Sequence, residues 1–342
     1  MTKSLNGALF GMCNPLLDLI ADVKSDILKK YNLKDNDQIL ADETHKGLFE
    51  DLLNQYKVQY VAGGAGQNSM RVAQWLLPPN STVYLGCVGN DEFSRQLKQS
   101  ASNDGLHVEY MIDSSTPTGC CAVLVQGKYR SLVANLAAAN NYKMEHLLAE
   151  KCQTLMESAQ CFYITGFFIT VSPDSIIHVA SHAAQKNKPF CFNLSAPFLS
   201  QFFNESLLKT LPYVDVLFGN ETEALAFAEA NAFNTKDMKE IAIKLSALPK
   251  VNQNRNRIVV ITQGADCVIV ATKGNIQEFS VAPIPSDEIV DTNGAGDAFV
   301  GGFLSQFILG NPIEDCIQKG IYAASVIIRS SGCTFPKSND KQ

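Results

Sequence analysis

Asp291-Thr292-Asn293-Gly294-Ala295-Gly296-Asp297 opens an apolar-periodic run that continues over 298–309. Phe299, Val300, Phe303, Leu304, Phe307 and Ile308 recur at helical spacing and Gly310-Asn311-Pro312 ends the run, so Asp297 is expected in the first turn of a helix. Two glycines precede it. A loop without β-carbons lets the backbone N–H groups of Gly294, Ala295 and Gly296 approach an anion, and the positive end of the helix dipole favours negative charge at the same place. Such a cradle suits a phosphoryl group in transfer, and a carboxylate beside it can take the proton of an attacking hydroxyl. Read alone, the stretch is equally a tight helix entry with an acidic residue that suits the dipole.

Upstream of this stretch, strand-like and helix-like runs alternate. Segments 161–165, 189–193, 214–218 and 258–262 read as strands; 173–186, 197–209, 221–230 and 237–248 read as helices. Two more strands, 267–271 and 276–281, lead into the opening stretch, and a last helix follows Asn311-Pro312 to about 329. Alternation at this pitch predicts an α/β protein with a doubly wound, mostly parallel sheet covered by helices. Sheets of this kind bind ligands beyond the carboxyl ends of their strands. Gly166-Phe167-Phe168, Asn193-Leu194-Ser195, Asn220-Glu221-Thr222-Glu223 and Thr262-Gln263-Gly264 stand there. The Asn220…Glu223 pair has two readings: a capping box, or an amide and a carboxylate on one helix face that hold the water shell of a magnesium ion. The second needs a carboxylate that the first consumes.

The amino-terminal part differs in pattern. A first strand is expected over 5–11, followed by Asn14-Pro15-Leu16-Leu17-Asp18, where Asn14 and Asp18 are either a turn cap and a surface acid or a grip on paired hydroxyls. Gln38 carries the same ambiguity. Gly63-Gly64-Ala65-Gly66-Gln67-Asn68 leads from a strand into a helix over 67–77. Its spacing imitates a dinucleotide fingerprint, but the third glycine is absent and no acid ends the next strand, which argues against a nicotinamide site. A backbone passing close to a ligand explains the glycines as well. Strands 120–125 and 130–133 form a hairpin with Arg130 just after its turn; Arg130 is either solvated or placed to neutralise phosphates with its planar fork. This region and residues 16–62 are expected to make a small β-rich lid, 16–62 with 116–140, on a large domain of 1–15, 63–115 and 141–342.

Composition narrows the function. In 342 residues, 46% are hydrophobic and 18% charged, with 28 Lys+Arg against 34 Asp+Glu; the chain is globular, and with no basic tract it has no footprint for nucleic acid. The start is too short and interrupted for a signal peptide or membrane span. Ten cysteines without a C-x-x-C pair read as reduced core thiols, not as disulfides or a zinc site. A cytoplasmic protein is expected, with the nucleus also open to it.

Assembled, these pieces resemble the ribokinase-like, PfkB-type carbohydrate and nucleoside kinases over essentially the whole chain. The carriers are Asn14-Pro15-Leu16-Leu17-Asp18, Asn36-Asp37-Gln38-Ile39-Leu40-Ala41, Ala62-Gly63-Gly64, Gln67-Asn68-Ser69, Asn135-Leu136-Ala137-Ala138-Ala139-Asn140, the segments from Gly166, Asn193 and Phe218, and above all the stretch 291–299. Asn193-Leu194-Ser195-Ala196-Pro197-Phe198 and Asn14-Pro15-Leu16-Leu17-Asp18 point to members that phosphorylate nucleosides, not free sugars.

The resemblance implies a ribokinase-like fold and Mg2+- and ATP-dependent phosphorylation of the adenosine 5′-hydroxyl, giving AMP and ADP. It implies Asp297 as general base, the N–H groups of 294–297 around the moving phosphoryl, and Arg130 on phosphate. Asp18, Gly64 and Asn68 would bind the ribose and Asn14 would lie near the base. Phe168 would stack on adenine in a slot closed by Leu16, Leu132 and Leu136, with Gln38, Gly63, Cys121 and Asn293 also among the nucleoside contacts. Asn193, Asn220, Thr262 and Gly264 would line the ATP groove and Glu223 would order magnesium through water. Ala65 and Gly66 depart from the relatives, which carry Ser-Thr there. No G-x-x-x-x-G-K-[ST] loop exists, so the anion cradle and Arg130 must replace a Walker lysine. Adenosine and ATP are the expected partners of a monomer; a sugar kinase of the same fold and a binding protein without chemistry are the rivals.

Overall fold

The computed structural model describes residues 4–35, 38–127 and 129–336. Its strands are β1 Leu9–Met12, β2 Leu16–Asp22, β3 Gln38–Leu40, β4 Gln59–Gly63, β5 Thr82–Gly89, β6 His107–Asp113, β7 Cys120–Gln126, β8 Tyr129–Asn135, β9 Cys161–Thr165, β10 Phe190–Asn193, β11 Val216–Asn220, β12 Ile258–Thr262, β13 Val268–Thr272 and β14 Asn275–Phe279. They form a nine-stranded sheet in the order β14-β13-β12-β11-β10-β9-β1-β5-β6 and a five-stranded sheet in the order β3-β8-β7-β2-β4.

From β6 across to β12 the large sheet is parallel, and β13 and β14 close one edge antiparallel. The parallel strands are continuous apolar runs because helices cover both faces; β1, β5 and β9 are buried along their whole length. The chain winds one way from β1 to β5 and the other way from β9 to β10, so the order reverses beside β1. Sheets of this kind bind ligands at such a switch point, beyond the carboxyl ends of the strands.

The small sheet alternates with period two along β7. Ala122 and Leu124 pack under the helices Ser25–Lys30 and Leu48–Gln55, while Cys121, Val123 and Val125 join Leu16, Ile20 and Val61 on the opposite face. All five of its strands come from 16–63 and 120–135.

The first strand begins at Leu9, not Leu5, since Gly7 turns the chain with φ +61°. The helical run expected over 197–209 is two helices, Pro197–Phe202 and Asn204–Thr210, parted at Phe203. The glycine-led helix Ala65–Leu76 packs directly on the helix Ala295–Phe307. A β-carbon on Gly301 would come within 2.5 Å of the Ser69 carbonyl oxygen, so backbone meets backbone there. This close crossing brings the amino-terminal turns of the two helices side by side.

Candidate active site

The loop that enters the Ala295–Phe307 helix is built around Asp291, which is almost wholly buried. Its Oδ1 accepts from the Asn293 N–H and its Oδ2 from the Gly332 N–H, both at 2.9 Å. Gly294 is the N-cap residue in the left-handed region, φ +77°, and no side chain caps the helix. Helix geometry then leaves the N–H groups of Gly296 and Asp297 without an acceptor in the helix. A β-carbon built on Gly296 meets nothing within 4 Å. The turn is an open, uncapped cradle of N–H donors, and an anion fits it on dipole and hydrogen-bonding grounds.

Asp297 stands on this turn, and the Asn68 amide Nδ2 donates to its Oδ2 at 3.2 Å. Burial pushes the Asp297 carboxyl up to about 7; the Asn68 hydrogen bond opposes the shift and the Glu223 charge adds to it. Asp18 on β2 is likewise pushed up to about 7 by burial, with the Arg71 charge opposing and the Asp297 and Asp291 charges adding. A base with a proton affinity near neutrality is suited to taking a proton from an alcohol and giving it back to water. The two-glycine stretch makes room for this pair. A β-carbon on Gly63 would lie 2.1 Å from Asp18 Oδ1, and Gly64 has φ +89° with the Asn14 carbonyl oxygen 2.3 Å from where its β-carbon would sit. Asn14 Oδ1 is buried and has no hydrogen-bond partner among the described residues, as expected of a group that waits for a ligand donor.

The uncovered face of the small sheet supplies an apolar wall. Leu16 and Cys121 cluster there with the half-buried Leu132 and Leu136. Gln38 lies on β3 opposite Leu132; its side chain falls outside the described residues. Phe168, at the end of β9, is 0% exposed and packs edge-on against Tyr142 at 5.3 Å. The short 3-10 turn Gly166–Thr170 instead leaves Phe167 partly exposed at the end of β9, tilted against Phe198 at 6.3 Å.

The model that matches this chain is that of the pfkB family carbohydrate kinases, over residues 29–340. The chain belongs to the PfkB family. Adenosine kinase 1 of Arabidopsis thaliana is 49% identical to it over 340 residues, 99% of each chain. Among solved structures it resembles Anopheles gambiae adenosine kinase in complex with P1,P4-di(adenosine-5) tetraphosphate, at a TM-score of 0.92 and 48% identity over 97% of this chain and 99% of that one. It also resembles adenosine kinase from Schistosoma mansoni in complex with 2-fluoroadenosine, at 0.93 and 36% over 98% and 99%. The mixed, mostly parallel large sheet with a second smaller sheet is the ribokinase-like fold of this family.

Two of the expected site residues of this PfkB-family chain are engaged by partners within the chain itself. Arg130, expected on phosphate or in solvent, is 8% exposed; its Nε lies 3.0 Å from Asp291 Oδ1 and its Nη2 donates to the Val290 carbonyl at 3.3 Å. A cation buried this far needs a counter-charge, and Asp291 provides it. Glu223 is likewise taken. Its Oε2 accepts from the Asn220 N–H at 3.0 Å and its Oε1 from the Asn220 amide at 2.9 Å, while Asn220 Oδ1 accepts from the Glu223 N–H at 2.9 Å. The capping box is complete and the carboxylate sits inside it. Asn193 Oδ1 accepts from the Ser195 N–H at 2.9 Å at the end of β10, and Thr262 ends β12 with the open Gly264 two residues on. The groove thus gathers Asn193, Asn220 and Thr262 on adjacent strand ends.

The sequence pattern names Phe167 at the end of a strand but assigns no role to Phe167, Asp291 or Arg71. A buried acid flanked by a glycine turn was the available signal for Asp291; no local signal marks Arg71. A separate cleft of about 360 Å³, lined by Asp215, Val216, Arg255, Ile258 and Phe307 among others, lies at the opposite ends of β11 and β12 and contains none of these groups.

Proposed function

We propose that this chain transfers the γ-phosphoryl group of ATP, with Mg2+, to the 5′-hydroxyl of adenosine, giving AMP and ADP. The observation that carries the reading is Asp297: a half-buried carboxylate held by Asn68 on the same helix turn as an uncapped N–H cradle. The relatives named as adenosine kinases over nearly their whole length support the substrate.

In this reading Asp18 and the Asn14 carbonyl of its side chain take the ribose hydroxyls and the base edge, Phe167 offers a ring face to the purine, and Leu16, Cys121, Leu132 and Leu136 close over it. That arrangement aims the 5′-oxygen at the cradle. Asp297 accepts the hydroxyl proton as the oxygen attacks the γ-phosphorus, the bond from that phosphorus to the bridging oxygen of ADP breaks, and the N–H groups of Gly296 and Asp297 hold the transferring oxygens. The small sheet, with residues 16–62 and 116–140, acts as a lid that excludes water.

Among the described residues no three His, Cys, Asp or Glu side chains form a cation cage. A magnesium ion brought by ATP would be held by the nucleotide, with the Asn220–Glu223 turn as the element that would order its water. When bound, the ion supplies charge neutralisation to the phosphates.

The protein is read as a cytoplasmic monomer that binds neither nucleic acid nor membrane. Its ten cysteines are free thiols, no helix among the described residues is long and apolar enough to cross a membrane, and its own helices cover the outer face of the small sheet. The test is AMP formation from adenosine and Mg-ATP beside inosine, guanosine and ribose. Preferential turnover of ribose would replace this reading with a sugar kinase, and tight adenosine binding without AMP would replace it with a binding protein.

A further inference from the structure

Arg71 sits in the Ala65–Leu76 helix, 3% exposed. Its Nε donates to Asp104 Oδ2 at 2.6 Å, and Nη1 reaches the Ala62 carbonyl at 2.7 Å, the Cys333 carbonyl at 3.1 Å and Asn68 Oδ1 at 3.3 Å. The guanidinium also lies 5.5 Å from the Phe335 ring. These partners converge on the site: Ala62 precedes the two glycines, Cys333 abuts Gly294, 3.5 Å from where a β-carbon would be, and Asn68 holds Asp297.

The chemistry of the Asn68 amide makes this arrangement directional. A guanidinium has donors and no acceptor, so the face of the amide turned to Arg71 must be Oδ1. The opposite face is then the NH2 group, which donates to Asp297. Without Arg71 the amide is free to turn over, and its oxygen would face the carboxylate. That orientation accepts a hydrogen bond from a protonated Asp297 and repels an ionised one.

We propose that Arg71 is a positioning residue that fixes the orientation of the Asn68 amide and thereby keeps Asp297 in the ionised, proton-accepting state. The inference rests on the general-base reading of Asp297. The other titratable groups facing Asp297 are Asp18, Glu223, Cys13, Cys333, Tyr84 and Tyr163; burial holds the thiols and phenols protonated, and Asp104 is tied to Arg71 itself. Dependence on Asn68 therefore separates Asp297 from the remaining carboxylates.

The experiment compares Arg71→Met, Arg71→Lys, Asn68→Ala and the Arg71→Met/Asn68→Ala pair by kcat against pH and by unfolding temperature against pH. For Arg71→Met the acid limb of kcat moves to higher pH, so that kcat falls about tenfold more at pH 6 than at pH 8.5, and the shift vanishes in the Asn68→Ala background. Arg71→Lys keeps a donor and its charge, and keeps the wild-type acid limb even where kcat and stability drop. A uniform loss in Arg71→Met, or the same shift with and without Asn68, overturns the proposal. Should Arg71→Met not fold, a moved acid limb in Arg71→Lys overturns it and an unmoved one upholds it. Absence of AMP formation by the unaltered protein sinks the functional reading alone, because the Asn68-dependent shift is also read in unfolding without substrate.

Discussion

Asp297 carries two opposed demands. Burial lifts its proton affinity to about 7, which suits a base, and the same burial makes the ionised form costly to the fold. Asp297→Ala is expected to lower AMP formation by at least ~10²-fold while its unfolding temperature at pH 8 is no lower than wild type; steady-state rates and a melting curve check both halves. The acid limb of kcat should fall near neutrality, where Asp297 gains its proton, and rise to a plateau above it. The two adjacent phenylalanines should separate cleanly. Phe168→Ala empties a core site and should cost about 3–5 kcal/mol by denaturant unfolding, whereas Phe167→Ala should leave stability nearly intact and raise the KM for adenosine.

At the scale of the helix Ala295–Phe307, its first turn holds two glycines with different tasks. Gly294 is left-handed, so Gly294→Ala introduces backbone strain of about 1 kcal/mol, visible as a lower melting temperature. Gly296 has no such conformation, and a β-carbon there meets only open space. Gly296→Ala should therefore fold at least as stably as wild type, since alanine is the better helix former by about 1 kcal/mol, yet lose at least about tenfold in phosphoryl transfer because the methyl group occupies the anion's place. Wild-type turnover in that variant would mean that the phosphoryl does not rest on this turn. The helix Glu221–Ala230 shows an element whose reading was half legible. The Asn-x-x-Glu spacing announces a capping box, and the structure shows all of its hydrogen bonds made.

Across the whole molecule, Arg130 on β8 and Asp291 before the helix Ala295–Phe307 join the small sheet to the loop that enters that helix through a nearly solvent-free ion pair. Asp291→Ala leaves that guanidinium without its counter-charge and releases the Asn293 and Gly332 N–H groups, so a loss of about 3–5 kcal/mol is expected by chemical denaturation. Proton linkage gives the molecule a second global signature. Asp18, Asp297 and Glu223 each have a folded-state proton affinity raised to about 7, above the unfolded value near 4. The native state then holds more protons than the unfolded chain between those limits, so the stability these groups contribute is present below about pH 4 and is lost as pH rises through about 7. The ligand-free protein should melt at a lower temperature at pH 8 than at pH 6, opposite to the trend of its activity, and a melting temperature that rises over this range would contradict the raised carboxyls.

The chain alone determined the alternation that builds a parallel sheet, the helix with Asp297 in its first turn, and the two glycine clusters, because each is written in local spacing and in residues whose backbone freedom or apolar periodicity acts within a few positions. Only the tertiary structure decided which of Phe167 and Phe168 keeps some exposure, since one 3-10 turn sends the two rings to different environments. It alone decided that Arg130 meets Asp291 and that Arg71 meets Asp104 and the Cys333 carbonyl, because burial of a charge is settled by partners 33 to 262 residues away, and no local pattern records a partner that distant.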